Sequence, residues 1–212
     1  MLVFIMVAVV CVAQSTNDVV GKRTEGALER QVPGYNVERL TSFNAFSSAL
    51  TYTHTPGGIV RVGACSDEPT VFTWRPAGAN LRDTLKAIVL ADPRYTWEYR
   101  EGLVNILPVG GEPALLKTRI AKLDVGNATS ANWPLGLLLA LPEVKKAMTD
   151  LKLRWGVKLY FGAESRQHGF SVLCKDVSLL EALNAIARSH GSAVWDYVET
   201  HCDGKDEVTI SF

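Results

Sequence analysis

The chain has 212 residues, of which 47% are hydrophobic, and it carries 22 basic and 22 acidic side chains. With a formal net charge of zero and no run of five like charges, it lacks the basic surface that binds the phosphate backbone of nucleic acids. This length fits one large domain or two of about 90 residues each.

The first 13 residues, MLVFIMVAVVCVA, are uncharged and almost entirely apolar. They are too few for a membrane-spanning helix, which needs roughly 20 residues, and small residues stand at Cys11 and Ala13. This pattern predicts a signal peptide over residues 1–13, a flexible segment over 14–33, and an exported chain, periplasmic or secreted, without a membrane span. A buried N-terminal strand or a membrane tether is the alternative for the apolar stretch.

A first module is predicted over residues 34–108. It begins with a short strand at residues 36–37 and a helix, and it continues with the β-rich run GGIVRVGA of residues 57–64. The helix is predicted from apolar side chains that fall on one stripe, Phe43, Phe46 and Leu50.

The second part of this module has the strongest helix signal. Leu81, Leu85 and Ile88 stand at i, i+4 and i+7, on one face of a helix that Asn80 caps and Pro93 stops. Aromatic and polar residues then alternate, which predicts a strand with one covered face. A tight turn joins this strand to another that contains valine and isoleucine.

Within PVGGEP, residues 109–113 predict a linker to a second module over residues 114–212. A shift of 98 residues aligns residues 72–99 with 170–197 without a gap, and seven of the 28 positions are identical. The identical residues include the helix stripe and a Trp-x-Tyr strand. We therefore predict an α+β fold of two tandem small modules, each a helix-packed sheet with the order strand, helix, strand, strand, helix, strand, strand.

The second module resembles the secretin and TonB short N-terminal domain, at Val177–Ile186 and again at Val208–Phe212. The resemblance is fainter in the first module and covers about half of the chain that follows residue 13. In that family the module is periplasmic and non-enzymatic, and it makes protein contacts in secretin rings or in receptor signalling. The present sequence departs from the family because no β-barrel or secretin pore follows Phe212.

Three cysteines, Cys65, Cys174 and Cys202, lie beyond the predicted signal peptide. Cys174 is expected at the end of one strand and Cys202 in the turn after the next, and a right-handed crossover brings both to one end of a sheet. This predicts a Cys174–Cys202 disulfide, with two unpaired cysteines as the alternative. Cys65 is then left for an intermolecular link. The turn that holds Cys202 is expected to be long, over residues 200–206.

Sequence motifs for a nucleophile, a phosphate loop or a zinc site are not found, so neither catalysis nor a cofactor or metal is predicted. His168 and His190 are expected on the surface. The alternating aromatic residues are expected in the core, with a stacking platform as the alternative. Trp74, Trp133 and Trp155 lack an equivalent in the other module and are expected to mark a contact surface.

These features predict a non-catalytic protein-interaction or adaptor module of a bacterial envelope system, in secretion or receptor signalling. Its partner is expected to be an envelope protein, and homo-oligomers are an option. One alternative is a protein that binds a small ligand or glycan, or a hydrolase, with a site between the modules. A second is a self-assembling structural envelope protein. Residues 208–212 are expected to form a sheet edge that is open to β-strand addition.

Overall fold

The computed structural model describes residues 10–14, 26–34, 37–74, 78–156 and 169–212, which form a mixed α+β fold as the sequence predicts. The helices are α1 (Ser42–Tyr52), α2 (Leu81–Ala91), α3 (Asn132–Leu139), α4 (Pro142–Asp150) and α5 (Leu179–His190). The strands are β1 (Val10–Gln14), β2 (Val37–Thr41), β3 (Gly57–Ala64), β4 (Val71–Trp74), β5 (Tyr95–Arg100), β6 (Leu103–Pro108), β7 (Arg119–Ala128), β8 (Leu153–Trp155), β9 (Phe170–Ser178), β10 (Val194–Cys202) and β11 (Lys205–Ser211).

The strand pairing is the same in the two halves of the chain. Strand β2 pairs antiparallel with β4, and β7 pairs antiparallel with β9. The hairpin β5–β6 has its counterpart in β10–β11. Each hairpin then gains a parallel strand from its own half, β3 beside β6 and β8 beside β11.

The two halves share one six-stranded sheet, in the order β5-β6-β3-β10-β11-β8. Strands β3 and β10 pair in parallel along their length, from Gly57 beside Val194 to Ala64 beside His201. We call this pair the junction. Residues 109–113 were predicted to link two modules, but the hydrogen-bonded sheet runs through both halves.

The helices of the two halves cover opposite faces of this sheet. Ile59 of β3 belongs to the hydrophobic cluster of α1 and α2, whereas its neighbour Val60 belongs to the cluster of α5. This is expected because successive residues of a strand point to opposite faces. Trp195 and Tyr197 of β10 are fully buried in the α5 cluster, which confirms their predicted place in the core.

The equivalent helices α2 and α5 begin as predicted. The side chain of Asn80 accepts a hydrogen bond from the backbone of Asp83, and Ser178 forms a reciprocal capping box with Glu181. Helix α5 ends at Gly191, whose φ of 89° is the left-handed conformation that glycine adopts without strain. These caps define where both helices begin and where α5 ends.

Both hairpins close through two-residue turns. Glu101-Gly102 and Asp203-Gly204 all have positive φ, as a type I′ turn requires. The prediction of a long turn over residues 200–206 is therefore wrong. Strand β10 extends to Cys202 because its polar end keeps pairing with β3 and β11, beyond the part of the sheet that the core covers.

The N-terminal residues differ in part from expectation. Residues 10–14 form β1, which pairs antiparallel with β9 and includes the predicted cleavage point after Ala13. This matches the alternative of an N-terminal strand, and the signal peptide stays a prediction. Of the segment predicted to be flexible, residues 26–33 bury Leu28 and Val32 in the α1–α2 cluster.

The structure places some other features differently from the sequence-based predictions. Strand β11 lies between β10 and β8, but β8 pairs only with residues 206–208 of β11, so the predicted sheet edge over residues 208–212 is covered at Val208 and otherwise stays a prediction. His190 is 4% exposed and packs edge-on against Phe170, so its predicted surface position is wrong.

His168 and residues 157–163 lie outside the described residues. Among those described, no helix is long and apolar enough to cross a membrane.

Candidate functional site

One end of the six-stranded sheet is formed by β5, and no strand of the described residues pairs with its outer side. We call this side the β5 edge. The backbone N–H of Val109 donates to the carbonyl of Arg94 at 2.8 Å. This hydrogen bond determines which residues of β5 bond to β6 and which face away from it. In an antiparallel pair the hydrogen-bonding residues alternate. Thr96 and Glu98 therefore bond to β6, while the N–H and C=O of Trp97 point outward.

At the junction, β10 uses the equivalent backbone groups to hold β3. The N–H of Gly57 donates to the carbonyl of Ala193, and the N–H of Cys65 donates to that of His201, both at 3.2 Å. The odd-numbered residues of β10 thus face β3. Trp195 is one of these residues, and its counterpart in β5 is Trp97. The backbone N–H and C=O groups that β10 uses to bind β3 are therefore the groups that face outward on β5.

The side chain of Trp195 also depends on the neighbouring strand. Its Nε1 donates to the side chain of Asn184 at 3.0 Å, and its ring lies across Gly58 of β3. A Cβ atom on Gly58 would come within 2.1 Å of the ring, so only glycine fits there. Trp97 packs against the α1–α2 cluster but is only partly buried, because β5 has no such neighbour among the described strands.

Burial at the junction raises the pKa of two further side chains of β10, those of Asp196 and Tyr197. Asp196 lies beside Ile59 and Ser211, and its Oδ1 is buried without a hydrogen-bond partner among the described residues. Burial raises the pKa of this carboxyl to about 7. Tyr197 donates a short hydrogen bond to Glu199, and burial, followed by this bond, raises the pKa of the tyrosine.

A disulfide joins Cys65 to Cys202, with 5.2 Å between the Cα atoms, within the usual range for this bond. It links the end of β3 to the end of β10 and so fastens the junction. The predicted Cys174–Cys202 disulfide is wrong, because β9 and β10 lie in different sheets and not side by side. Cys174 is buried on β9, and its backbone stands opposite Cys11 of β1.

Two of the three predicted contact tryptophans are exposed. Trp133 is 51% exposed and Trp155 is 39% exposed, while the side chain of Trp74 lies outside the described part of the structure. Trp133 lies on α3, a helix without a counterpart among the described residues of the first half, together with the exposed Leu137 four residues on. Their contact role stays a prediction.

A small groove opens over α1 and the end of β3, within residues 41–108 and not between the halves. At its base Asp92 accepts a hydrogen bond from Ser42 at 2.6 Å and pairs with Arg94 at 2.8 Å. Burial by itself raises the pKa of Asp92, but the hydrogen bonds from Arg94 and Ser42 outweigh it and hold the pKa below its ordinary value. These groups satisfy one another, so the cluster has the character of a structural network.

His201, close to the disulfide, lies between two carboxylates. Its Nε2 is 3.1 Å from Glu199 and its Nδ1 is 3.0 Å from Asp206. Within the described ranges, no group of three or more His, Cys, Asp or Glu side chains is arranged to hold a metal ion.

Comparisons with protein-family models, with curated proteins and with solved structures found no match to this chain. The candidate site therefore follows from geometry within the molecule. Sequence reasoning identified Trp97 and Trp195 as equivalent but did not foresee that one borders a paired strand and the other an open edge. The available signal was the Gly57-Gly58 pair at the start of β3, which suits a close approach by a large ring.

Proposed function

We propose that this chain is a non-catalytic protein-interaction element whose binding surface is the β5 edge. The partner adds an extended strand parallel to β5, which is a known mode of recognition at sheet edges. The observation that carries the proposal is the equivalence of β5 and β10. The second of these already holds a parallel strand, through backbone groups and a tryptophan that β5 also presents.

The junction defines the chemistry of the strand that fits. The strand needs glycine where it passes Trp97, since Trp195 leaves no room for a Cβ at Gly58. Branched apolar residues follow in β3, Ile59 and Val60, and both are fully buried. A sequence of the type Gly-Gly-Ile-Val in extended form meets these requirements.

The proposed setting is the bacterial envelope, in a secretion or receptor-signalling system. The apolar residues 1–13 and the Cys65–Cys202 disulfide support export, because disulfides persist in oxidising compartments. The resemblance to short N-terminal domains of secretins and TonB-dependent receptors supports a role in protein contacts.

A peptide with the sequence of residues 56–62, PGGIVRV, tests the binding mode. We expect it to bind the intact chain, and we expect a matched peptide with valine at the position of Gly58 to fail, because valine meets the ring of Trp97. Trp97→Ala should weaken binding at least about tenfold, as expected for an anchor residue. Trp133→Ala, an exposed tryptophan elsewhere, is the control. Isothermal titration calorimetry measures the affinity of each peptide for the wild-type chain and for each variant. Equal binding of the two peptides to the wild-type chain would contradict the proposal.

A further inference from the structure

We infer that the β5 edge selects its partner by charge: the strand that it receives carries a basic residue directly after the required glycine and an acidic residue two positions further on. This inference rests on the proposed function and names the chemistry of the partner. It follows from a difference between β5 and β10. Glu98 and Arg100 of β5 stand where β10 has Asp196 and Val198, and both charged side chains of β5 are exposed.

The preference for a basic residue follows from Asp196, the counterpart of Glu98. At the junction Trp195 lies beside Gly58, and the next residues of the two strands, Asp196 and Ile59, lie beside each other. Isoleucine offers no hydrogen bond, and Oδ1 of Asp196 is buried without a hydrogen-bond partner among the described residues. An acidic side chain at this position thus loses water without compensation when its neighbour is apolar. A basic residue in place of Ile59 provides Glu98 with an opposite charge and hydrogen-bond donors.

The preference for an acidic residue follows from Arg100. Its counterpart Val198 lies beside Arg61, so a strand with the sequence of β3 would bring a second arginine next to Arg100. Like charges directly opposite each other on neighbouring strands are destabilising, whereas opposite charges stabilise the pair. Arg100 forms no ion pair within the described part of the chain. An acidic residue at the position of Arg61 supplies one.

The faces of the sheet agree with both preferences. Trp97 packs against the α1–α2 cluster, so Glu98 and Arg100 lie on the opposite face of β5. Asn105 of β6 donates to Oε1 of Glu98 at 3.2 Å, which holds the carboxylate in place from the inner side of the strand. On the incoming strand the glycine faces Trp97, and the residues one and three positions after it project to the other face. The four charges therefore form two adjacent pairs on one face.

The preferred partner differs from the strand that β10 holds. A sequence of the type Gly-Lys-Val-Glu leaves room for the ring of Trp97 and complements both charges of β5. Residues 58–61 of β3, Gly-Ile-Val-Arg, leave the same room but complement neither charge. The β5 edge thus accepts the backbone of a strand like β3 and selects for different side chains at two positions.

Two peptides of identical composition test the inference. PGGKVEV has lysine at the position of Ile59 and glutamate at that of Arg61, and PGGEVKV has these two residues exchanged. We expect PGGKVEV to bind the intact chain at least about fivefold more tightly at low ionic strength, since PGGEVKV replaces both opposite-charge pairs with like-charge pairs. The difference should shrink in about 0.5 M salt, which screens exposed charges. Isothermal titration calorimetry measures each affinity.

Exchanging the two charges of the chain should reverse the preference. We expect Glu98→Lys/Arg100→Glu to bind PGGEVKV more tightly than PGGKVEV, and the gain in affinity for PGGEVKV also shows that the variant is folded. The single variants Glu98→Gln and Arg100→Gln should each reduce the difference between the peptides. The control is Lys146→Asp/Asp150→Lys, which exchanges an exposed ion pair on α4 and should keep the wild-type preference.

The outcomes separate this inference from the proposed function. Equal binding of PGGKVEV and PGGEVKV to the wild-type chain, or tighter binding of PGGEVKV, overturns the charge preference. The proposed function then stands if the residue 56–62 peptide still binds at Trp97. A chain that binds none of the three peptides contradicts both proposals. A Glu98→Lys/Arg100→Glu variant that keeps the wild-type preference also overturns the inference, because these two side chains then do not select the strand.

Discussion

At the scale of single residues, the same position behaves differently at the β5 edge and at the junction. Trp97 and Glu98 of β5 correspond to Trp195 and Asp196 of β10. Trp97 is partly buried and Glu98 is exposed. Trp195 is fully buried, and one carboxylate oxygen of Asp196 is buried with no hydrogen-bond partner in the described part of the chain. Since the sequence is similar at both places, the neighbouring strand causes the difference.

Asp196 makes the stability of the fold depend on pH. Its pKa is about 7 in the folded chain, above its ordinary value of 3.8, so the folded chain binds this proton more tightly than the unfolded chain. The free energy of unfolding therefore falls as pH rises from about 4 to about 7, and this fall is at most about 4 to 5 kcal/mol, at roughly 1.4 kcal/mol for each pKa unit.

Asp196→Asn removes this cost. We expect the variant to be more stable than wild type at pH 8 and to lose that advantage below pH 4, in urea unfolding followed by circular dichroism across this range of about four pH units. Asp203→Asn, in the exposed turn of the same hairpin, is the control and should show no such crossover. A constant difference between Asp196→Asn and wild type at all pH values would contradict this explanation.

At the scale of helices and strands, the sequence predicts most of the described elements. The apolar stripes and the caps at Asn80 and Ser178 are local features, and they give α2 and α5 with their true starts. The alternation of aromatic and polar residues is also a local feature, and it correctly predicts β5 and β10. Helix α3 was not predicted because its leucines are spread around the helix, without the single stripe that marks an amphipathic element.

The neighbours of the strands could not be predicted in the same way. The pairing of β3 with β10 joins residues more than 130 positions apart in the sequence, and no local pattern encodes it. The correct partner of Cys202 follows from that pairing. The sequence therefore indicated the repeat and the aromatic strand of the candidate site, but the open edge is a property of the assembled sheet.

At the scale of the whole molecule, the Cys65–Cys202 disulfide connects the halves at the junction. The two cysteines are 137 positions apart in the sequence, and a bond that closes so long a loop strongly restricts the unfolded chain. We expect its reduction to lower the free energy of unfolding by about 3 kcal/mol. Denaturant unfolding with and without reductant measures this change, and a Cys65→Ser/Cys202→Ser variant should not respond to reductant. Alkylation of both cysteines without reductant, in the denatured chain, would show that the bond is absent.

Amide hydrogen exchange along β5, measured residue by residue, is the most direct test of a strand-binding edge. In the dilute chain the outward-facing amide of Trp97 should exchange quickly, while those of Thr96 and Glu98, which bond to β6, should be protected. On adding the residue 56–62 peptide, the Trp97 amide should slow at least about tenfold and its two neighbours should change little. A Trp97 amide that is already protected in the free chain, or that does not respond to the peptide, would contradict the proposal.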